Sequence, residues 1–295
     1  MPPLFSDGRQ DRRKNNMGLF SGVLLASDFD GTLSAGKAGI PDRVRRAVSE
    51  FTSEGGFFTV STGRTYLGFH AYDPELINAP VMLANGGMIY DYAKKEIVAL
   101  EGIDREAIPS LRTIKDKFPS VSIEMYAFKE TFCLNVHDKA HRHFTSQDIP
   151  YQSIDDPAEA RGPWAKIMLG GEPEEIAEVQ KFISANCPEL GYVPTTGGYL
   201  EVLKPGMHKG SLLRILAAKL GVRDEDTYAA GDGYNDVDML RIASAAFVPS
   251  NGDEFAKACA TYVVCSNEEG AIADAIGILR KLYTEKRGSG GKKTV

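Results

Sequence analysis

The sequence predicts an α/β fold, a parallel sheet with helices on both faces, interrupted by an inserted α+β unit. Three observations carry this. Short apolar runs alternate with amphipathic helical patterns at both ends of the chain, as a parallel sheet requires. Four polar clusters stand at or near the carboxyl ends of these runs, where open α/β sheets bind ligands. Between the second and third clusters the pattern changes to strand pairs mixed with helices.

The elements follow in order. Val23-Leu24-Leu25-Ala26 is apolar throughout and fits a strand buried on both faces. A helix enters near Pro41-Asp42, carries Val44, Ala47, Val48 and Phe51 on one face, and ends before Gly55-Gly56. Phe57 to Val60 is the second strand and Pro80 to Ala84 a third, ending at Asn85-Gly86-Gly87. Met88-Ile89-Tyr90 and Glu96-Ile97-Val98 flank a polar turn as a strand pair, and Ile176, Val179, Phe182 and Ile183 mark a helix in the insertion. Downstream come an amphipathic helix through Leu212, Leu213, Leu216 and Leu220, a strand at Thr227 to Ala230, and another near Ala246-Phe247-Val248.

Composition narrows the classes. The 295 residues contain 34 Lys+Arg against 40 Asp+Glu, a net charge of -6 that gives no general attraction for nucleic acid or an anionic membrane. Cys133, Cys187, Cys259 and Cys265 form no CxxC pair and read as reduced thiols. The polar start, rich in Arg9, Arg12, Arg13 and Lys14, has no apolar h-region, and the reading is a cytoplasmic protein with no membrane span.

The clusters are Asp28-Phe29-Asp30-Gly31-Thr32, Ser61-Thr62-Gly63-Arg64, Lys209-Gly210 and Gly231-Asp232-Gly233-Tyr234-Asn235-Asp236. They suit phosphoryl transfer. Asp28, Asp30, Asp232 and Asp236 in one crevice repel one another unless a hard cation such as Mg²⁺ holds them. Asp28 suits a nucleophile on phosphorus, and Asp30 an acid and base for the leaving oxygen and for water. Thr62 and Lys209 suit the phosphoryl charge. An Asp-x-Asp pair or a Lys-Gly alone is usually a solvated loop, so the weight rests on the ordered set.

With these motifs on the page, the chain from about Leu24 to Leu282 resembles the haloacid dehalogenase superfamily, in its Cof-type subclass IIB phosphatases. Ala84-Asn85-Gly86-Gly87 resembles the stretch before that subclass's cap, and Asn267-Glu268-Glu269-Gly270 its closing motif. The resemblance implies a Rossmann-like core, a cap closing over substrate, and Mg²⁺-dependent phosphate ester hydrolysis. It implies that Asp28, the Asp30 carbonyl and Asp232 hold the metal with Asp236 nearby. Gly63, Arg64, Asn85 and Asn235 are the substrate-binding candidates. Phe247 to Asn251 departs from the subclass, which is richer there in Gly and Ala; this touches a strand rather than the chemistry.

Spacing locates the insertion. Only 28 residues separate Thr32 from Ser61, room for one crossover helix, whereas 144 separate Arg64 from Lys209. The expected organisation is a polar extension over 1–18, a core over 19–87 and 203–283, a specificity cap over 88–202 hinged near Gly86-Gly87 and Pro205-Gly206, and a flexible tail over 284–295.

Several motifs are set aside. Gly31 to Lys37 matches the start of a P-loop, but Ala38 stands where Ser or Thr is needed. His137, His141 and His143 have metal-like spacing but read as a solvated or substrate-facing helix rather than a zinc site, and Trp164 reads as packing. Glu124, Tyr126, His137, Lys166 and Tyr199 are the polar cap candidates. The reading is a phosphatase of a small phosphorylated metabolite, a sugar phosphate ahead of phosphorylated cofactors and nucleotides. A phosphomutase of similar architecture stays open. A silent phosphometabolite-binding protein is disfavoured because the polar set is complete, and a dehalogenase because halide departure needs no acid at Asp30.

Overall fold

A run buried on both faces satisfies its backbone only by pairing on both edges, and Leu24–Ser27 does so as the inner strand of a parallel sheet. The computed structural model describes residues 18–194 and 197–290. In space the five core strands run Tyr262–Val264, Ala246–Pro249, Thr227–Ala230, Leu24–Ser27 and Phe57–Val60. Leu24 faces Thr227 on one side and Phe57 on the other.

The period of two along these strands sorts their side chains. Leu25, Phe58, Val60, Tyr228 and Phe247 pack under the helices Asp42–Ser53 and Ala271–Gly290. Leu24, Ala26, Ala229, Ala246 and Val248 pack under Lys209–Leu220 and Val237–Ile242. In Asp42–Ser53 the buried stripe is Val44, Val48 and Phe51, with Ala47 partly buried at its edge.

Lys209–Leu220 ends on Gly221 at φ 69°, a left-handed cap whose N–H bonds back to Ala217 and Ala218. An added Cβ there meets nothing within 4 Å. Gly221→Ala should therefore cost only the backbone strain of that conformation, about 1–2 kcal/mol in chemical denaturation, with activity retained. A neutral or stabilising result would contradict this account.

The third expected strand differs in its partner. Val81–Leu83 pairs antiparallel with Met88–Asp91, which pairs with Glu96–Leu100, so a separate three-stranded sheet forms. A single parallel bridge, Ser61 to Met82, ties it to the core. Met88 and Tyr90 pack in the core with Leu83 and Phe58, and Ile89 with Leu24 and Leu212, although the sequence pattern assigns them to the insertion.

The insertion's own apolar cluster begins at Ile103 and includes Leu111, Ile114, Ile123, Met125, Ile167, Leu169 and Val179. Trp164 is fully buried there, as packing. Its six-stranded sheet runs Gly191–Pro194, Tyr199–Leu203, Lys166–Gly170, Ser122–Tyr126, Thr131–Leu134 and Gln152–Ser153, antiparallel except for the last pair. Helices Ile108–Lys117, Asp138–Ser146 and Pro173–Asn186 accompany it.

Gly86, at φ 137°, leaves room for the backbone of His208, since a Cβ there would approach His208 N at 2.6 Å. The first expected hinge thus touches the chain two residues past the second.

Three further expectations meet the structure. Gly36–Ala38 is one 3₁₀ turn with Lys37 exposed, so no phosphate-binding helix starts there. The last helix continues through Gly290 into the expected flexible tail, and Arg287 donates to the Gly18 carbonyl at 2.7 Å. The expected polar extension, apart from Gly18, and residues 291–295 lie outside the described residues. No described helix is long and apolar enough to cross a membrane.

Candidate active site

The turn after Leu24–Ser27 delivers Asp28 to the carboxyl edge of the sheet. Its N–H donates to the Ala230 carbonyl at 2.8 Å, tying it to the next strand. Gly31 follows at φ 86°, and a Cβ there would lie 2.4 Å from the Asp232 carboxylate. The two acidic loops therefore close on each other only because residue 31 has no side chain. Thr32 fixes the approach by donating its hydroxyl to Asp232 Oδ1 at 2.7 Å.

Lys209, at the first turn of its helix and 1% exposed, donates to Asp28 Oδ1 at 2.5 Å and Asp236 Oδ1 at 2.6 Å. The other oxygen of Asp236 accepts the N–H groups of Asp232 and Gly233 at 3.1 and 3.0 Å. Asp28, Asp232 and Asp236 offer oxygens that all lie within 4.8 Å of one another. Burial pushes the Asp28 carboxyl well above its usual range; Lys209 opposes this, while Asp236 and Asp232 add to it. Asp232 is raised by burial too, against the hydrogen bond from Thr32. Lys209 is held protonated: burial works against its charge, but Asp236 and Asp28 outweigh it.

Two buried carboxylates on one ammonium, with the half-buried Asp232 beside them, leave excess negative charge. Their donor set is all oxygen, which fits a hard divalent cation. Among the described residues no other group of His, Cys, Asp or Glu is close enough to hold a metal, and the spacing of His137, His141 and His143 produces none.

Asp30 stands apart from the triad. Its carboxylate is gripped by Arg64 through Nε at 2.8 Å and Nη2 at 2.7 Å, and the Arg64 guanidinium lies over the Phe29 ring. Of the four Asp residues expected at the metal, the side chains of three gather and that of Asp30 does not. Thr62 is buried, its N–H donates to Met82 and its hydroxyl accepts from the Arg64 N–H. Asn85 sits in the left-handed region at φ 50°, next to Ala84 at φ 55°. Its carbonyl accepts from Asn235 Nδ2 at 3.1 Å, while its amide donates to Glu201.

A cavity of about 620 Å³ joins these groups. Core residues Asp28, Asp30, Thr62, Gly63, Arg64, Asn85, Asp232 and Asn235 line one side. Lys166, Met168, Tyr199, Glu201 and His143 line the other, from the insertion. Lys209 and Asp236 lie beneath it, reached through Asp28. The insertion's register explains the second wall: Glu201 and Glu124 both pair with Met168, so these side chains share one sheet face.

Of the polar cap candidates, Lys166 and Tyr199 line the cavity. Glu124 and Tyr126 are buried behind it, with the Tyr126 hydroxyl donating to Glu124 at 2.6 Å and His143 Nδ1 2.7 Å from the same oxygen. His137 lies in another surface pocket, with Asn135 and Lys139. Glu201 and Gln147 escape sequence reasoning, whereas His143 lines the cavity from the helix read as solvated or substrate-facing. For Glu201 there was one signal, an acid inside the apolar strand Tyr199–Leu203.

Comparison with known proteins agrees with this geometry. A family model for haloacid dehalogenase-like hydrolases matches residues 25–276. The chain is 27% identical over 259 residues to the 5-amino-6-(5-phospho-D-ribitylamino)uracil phosphatase of Escherichia coli, covering 86% of this chain and 94% of that one. A haloacid dehalogenase-like hydrolase from Bacteroides thetaiotaomicron superposes with TM-score 0.77 at 24% identity, covering 87% of this chain and 99% of that one. A subclass IIB sugar phosphatase superposes with TM-score 0.75 at 20% identity, covering 86% and 98%. The chain belongs to the haloacid dehalogenase-like hydrolase family: it is one of that family's hydrolases, and the proteins it resembles include phosphatases.

Proposed function

We propose that this protein is a Mg²⁺-dependent phosphatase that hydrolyses a small phosphorylated metabolite through an aspartyl-phosphate on Asp28. The observation that carries the reading is the carboxylate triad with Lys209 at the floor of a cavity walled by both core and insertion. Asp28, Asp232 and possession of an oxygen-only donor set fit Mg²⁺, with Asp236 as support; bound there, the ion supplies neutralisation of the phosphoryl and carboxylate charge.

In this mechanism an Asp28 oxygen attacks phosphorus and the bond to the ester oxygen breaks. Asp30, released from Arg64, gives that oxygen its proton. Asp30 then takes a proton from water, whose oxygen attacks the phosphorus, breaks the acyl-phosphate bond and frees Asp28 and inorganic phosphate. Lys209 and the Thr62 hydroxyl meet the phosphoryl oxygens. The insertion beyond Leu100 acts as a cap that excludes water and selects the leaving group. Four free thiols among the described residues accord with a reducing, cytoplasmic setting. A polar wall of Lys166, Glu201, Asn85 and Asn235 favours a hydroxyl-rich substrate, the sugar phosphate class.

Two measurements test this. Phosphate release should require Mg²⁺ and stop in excess chelator, then return on adding the ion back; full activity after exhaustive metal removal would overturn the metal assignment. Asp30→Ala should lower kcat by about 10² to 10⁴ on alkyl phosphates and less on an activated aryl phosphate, whose leaving group needs no proton. Equal losses on both would remove Asp30 from the acid role.

A further inference from the structure

Lys166 and Glu201 form an ion pair at 2.5 Å in which both side chains are more than nine-tenths buried. Such a pair is a poor source of stability, because desolvating two charges offsets their attraction and apolar residues of similar volume do as well or better. Its location is more informative. Both residues project from one face of the insertion's sheet into the catalytic cavity, and both reach across to the core. Lys166 Nζ donates to the Gly63 carbonyl at 2.7 Å, one residue beyond Thr62. Glu201 accepts from Asn85, whose carbonyl in turn accepts from Asn235 in the loop that carries Asp232 and Asp236.

The hydrogen-bonding capacity of this pair exceeds its use. An ammonium has three donors, and Lys166 directs two of them, to Gly63 and Glu201, while its charge also lies over the Tyr126 ring at 5.5 Å from the centroid. A carboxylate has about four acceptor sites, and Glu201 receives one bond on each oxygen. The cavity thus offers a spare donor beside a spare acceptor. A group that satisfies both must accept and donate at once. A hydroxyl does this; a carboxylate or a carbonyl leaves Glu201 unmatched, an ammonium leaves Lys166 unmatched, and a methylene leaves both.

Resting on the phosphatase reading above, we propose that Lys166 and Glu201 are the residues that read a hydroxyl on the leaving group, close to the carbon that bears the phosphate. They select polyol and sugar phosphates over alkyl phosphates of equal size. Removing the substrate hydroxyl leaves two buried charges facing a methylene, which is the arrangement that gives strong discrimination against a deoxy analogue.

The test uses matched substrates with the Mg²⁺-loaded full chain: glycerol 3-phosphate against propyl phosphate, and glucose 6-phosphate against cyclohexylmethyl phosphate. The wild type should favour the hydroxylated member of at least one pair by roughly 10²-fold or more in kcat/KM. Lys166→Met/Glu201→Leu removes both charges together, so no unpaired charge is buried and the fold is kept. In it that ratio should fall at least tenfold. Glu201→Gln, which keeps an acceptor for Asn85, should lower the ratio in the same direction, and thermal melting verifies that each variant is folded. Equal wild-type rates within both pairs, or variants that lose rate on both members while the ratio holds, would overturn the assignment and leave the pair a structural tie. A wild type that releases phosphate from both members of each pair at equal rates overturns this inference alone, whereas one that releases phosphate from no monoester overturns the phosphatase reading with it.

Discussion

Asp28→Asn should lose turnover by about 10⁴-fold or more, with no phosphate bound covalently to the protein. The amide matches the carboxylate in size and still accepts from Lys209, so the loop after Leu24–Ser27 keeps its shape. It also removes one of three crowded negative charges, and the variant should fold at least as stably as the wild type without added metal. What it lacks is an oxygen nucleophile. Phosphate release under saturating Mg²⁺, together with intact-mass measurement after acid quench, reads both consequences. Undiminished turnover, or phosphate trapped on another residue, would remove Asp28 from its role. Net isomerisation of a sugar monophosphate by the wild type, with little phosphate released, would favour the mutase.

Lys209→Met should be the most damaging single change to the fold of the site. It leaves Asp28 and Asp236 buried without the cation that each touches, a situation that costs about 3–5 kcal/mol when a buried ion pair loses one partner. Activity should fall with it, since the ammonium faces the phosphoryl charge. The pH dependence follows from the raised Asp28 carboxyl. A carboxyl that holds its proton more tightly in the folded chain than in the unfolded one makes the native state bind more protons, so stability falls as pH rises. The fall begins near the ordinary carboxylate range, around pH 4, and continues until the native carboxyl ionises. With Lys209 gone, nothing opposes the shift, and the slope should steepen. Added Mg²⁺ should recover more stability in the variant than in the wild type. Chemical denaturation at several pH values, with and without the ion, measures this; a flat profile would show that the triad is not electrostatically crowded.

The core was legible because its signals are local. Leu24 to Ser27 is apolar without a break, and a strand of that kind has only a buried position open to it. Asp28 and Asp232 were legible for a related reason: acids directly after such runs are carried to one sheet edge, while Lys209 opens the helix that leads back into the core. The rest depends on pairing that no local signal encodes. Val81 to Leu83 looks like any parallel strand, yet it pairs with Met88–Asp91, because the tight Ala84-Asn85-Gly86-Gly87 turn sends the chain straight back. Asp30 reads like a fourth carboxylate of the crevice until Arg64, 34 residues on, takes its side chain away, which leaves the carbonyl expected at the metal untouched. Glu201 and Gln147 become neighbours of the site only through the folded insertion, so their spacing along the chain carries no trace of it.

The central position of Leu24–Ser27 has a consequence for synthesis. One edge of this strand pairs with Phe57–Val60, which leaves the ribosome soon afterwards, but the other must wait for Thr227–Ala230, about two hundred residues later. At ordinary elongation rates of about 5–20 residues per second, that edge stands open for roughly 10 to 40 s, beside apolar side chains with no second helical layer to cover them. During this interval the insertion can collapse on its own apolar cluster while the nascent core remains half a sheet, able to pair with other chains. Slowed elongation between residues 100 and 227, or depletion of the chaperones that shield nascent strands, should therefore lower soluble yield far more than it alters the activity of molecules that finish folding.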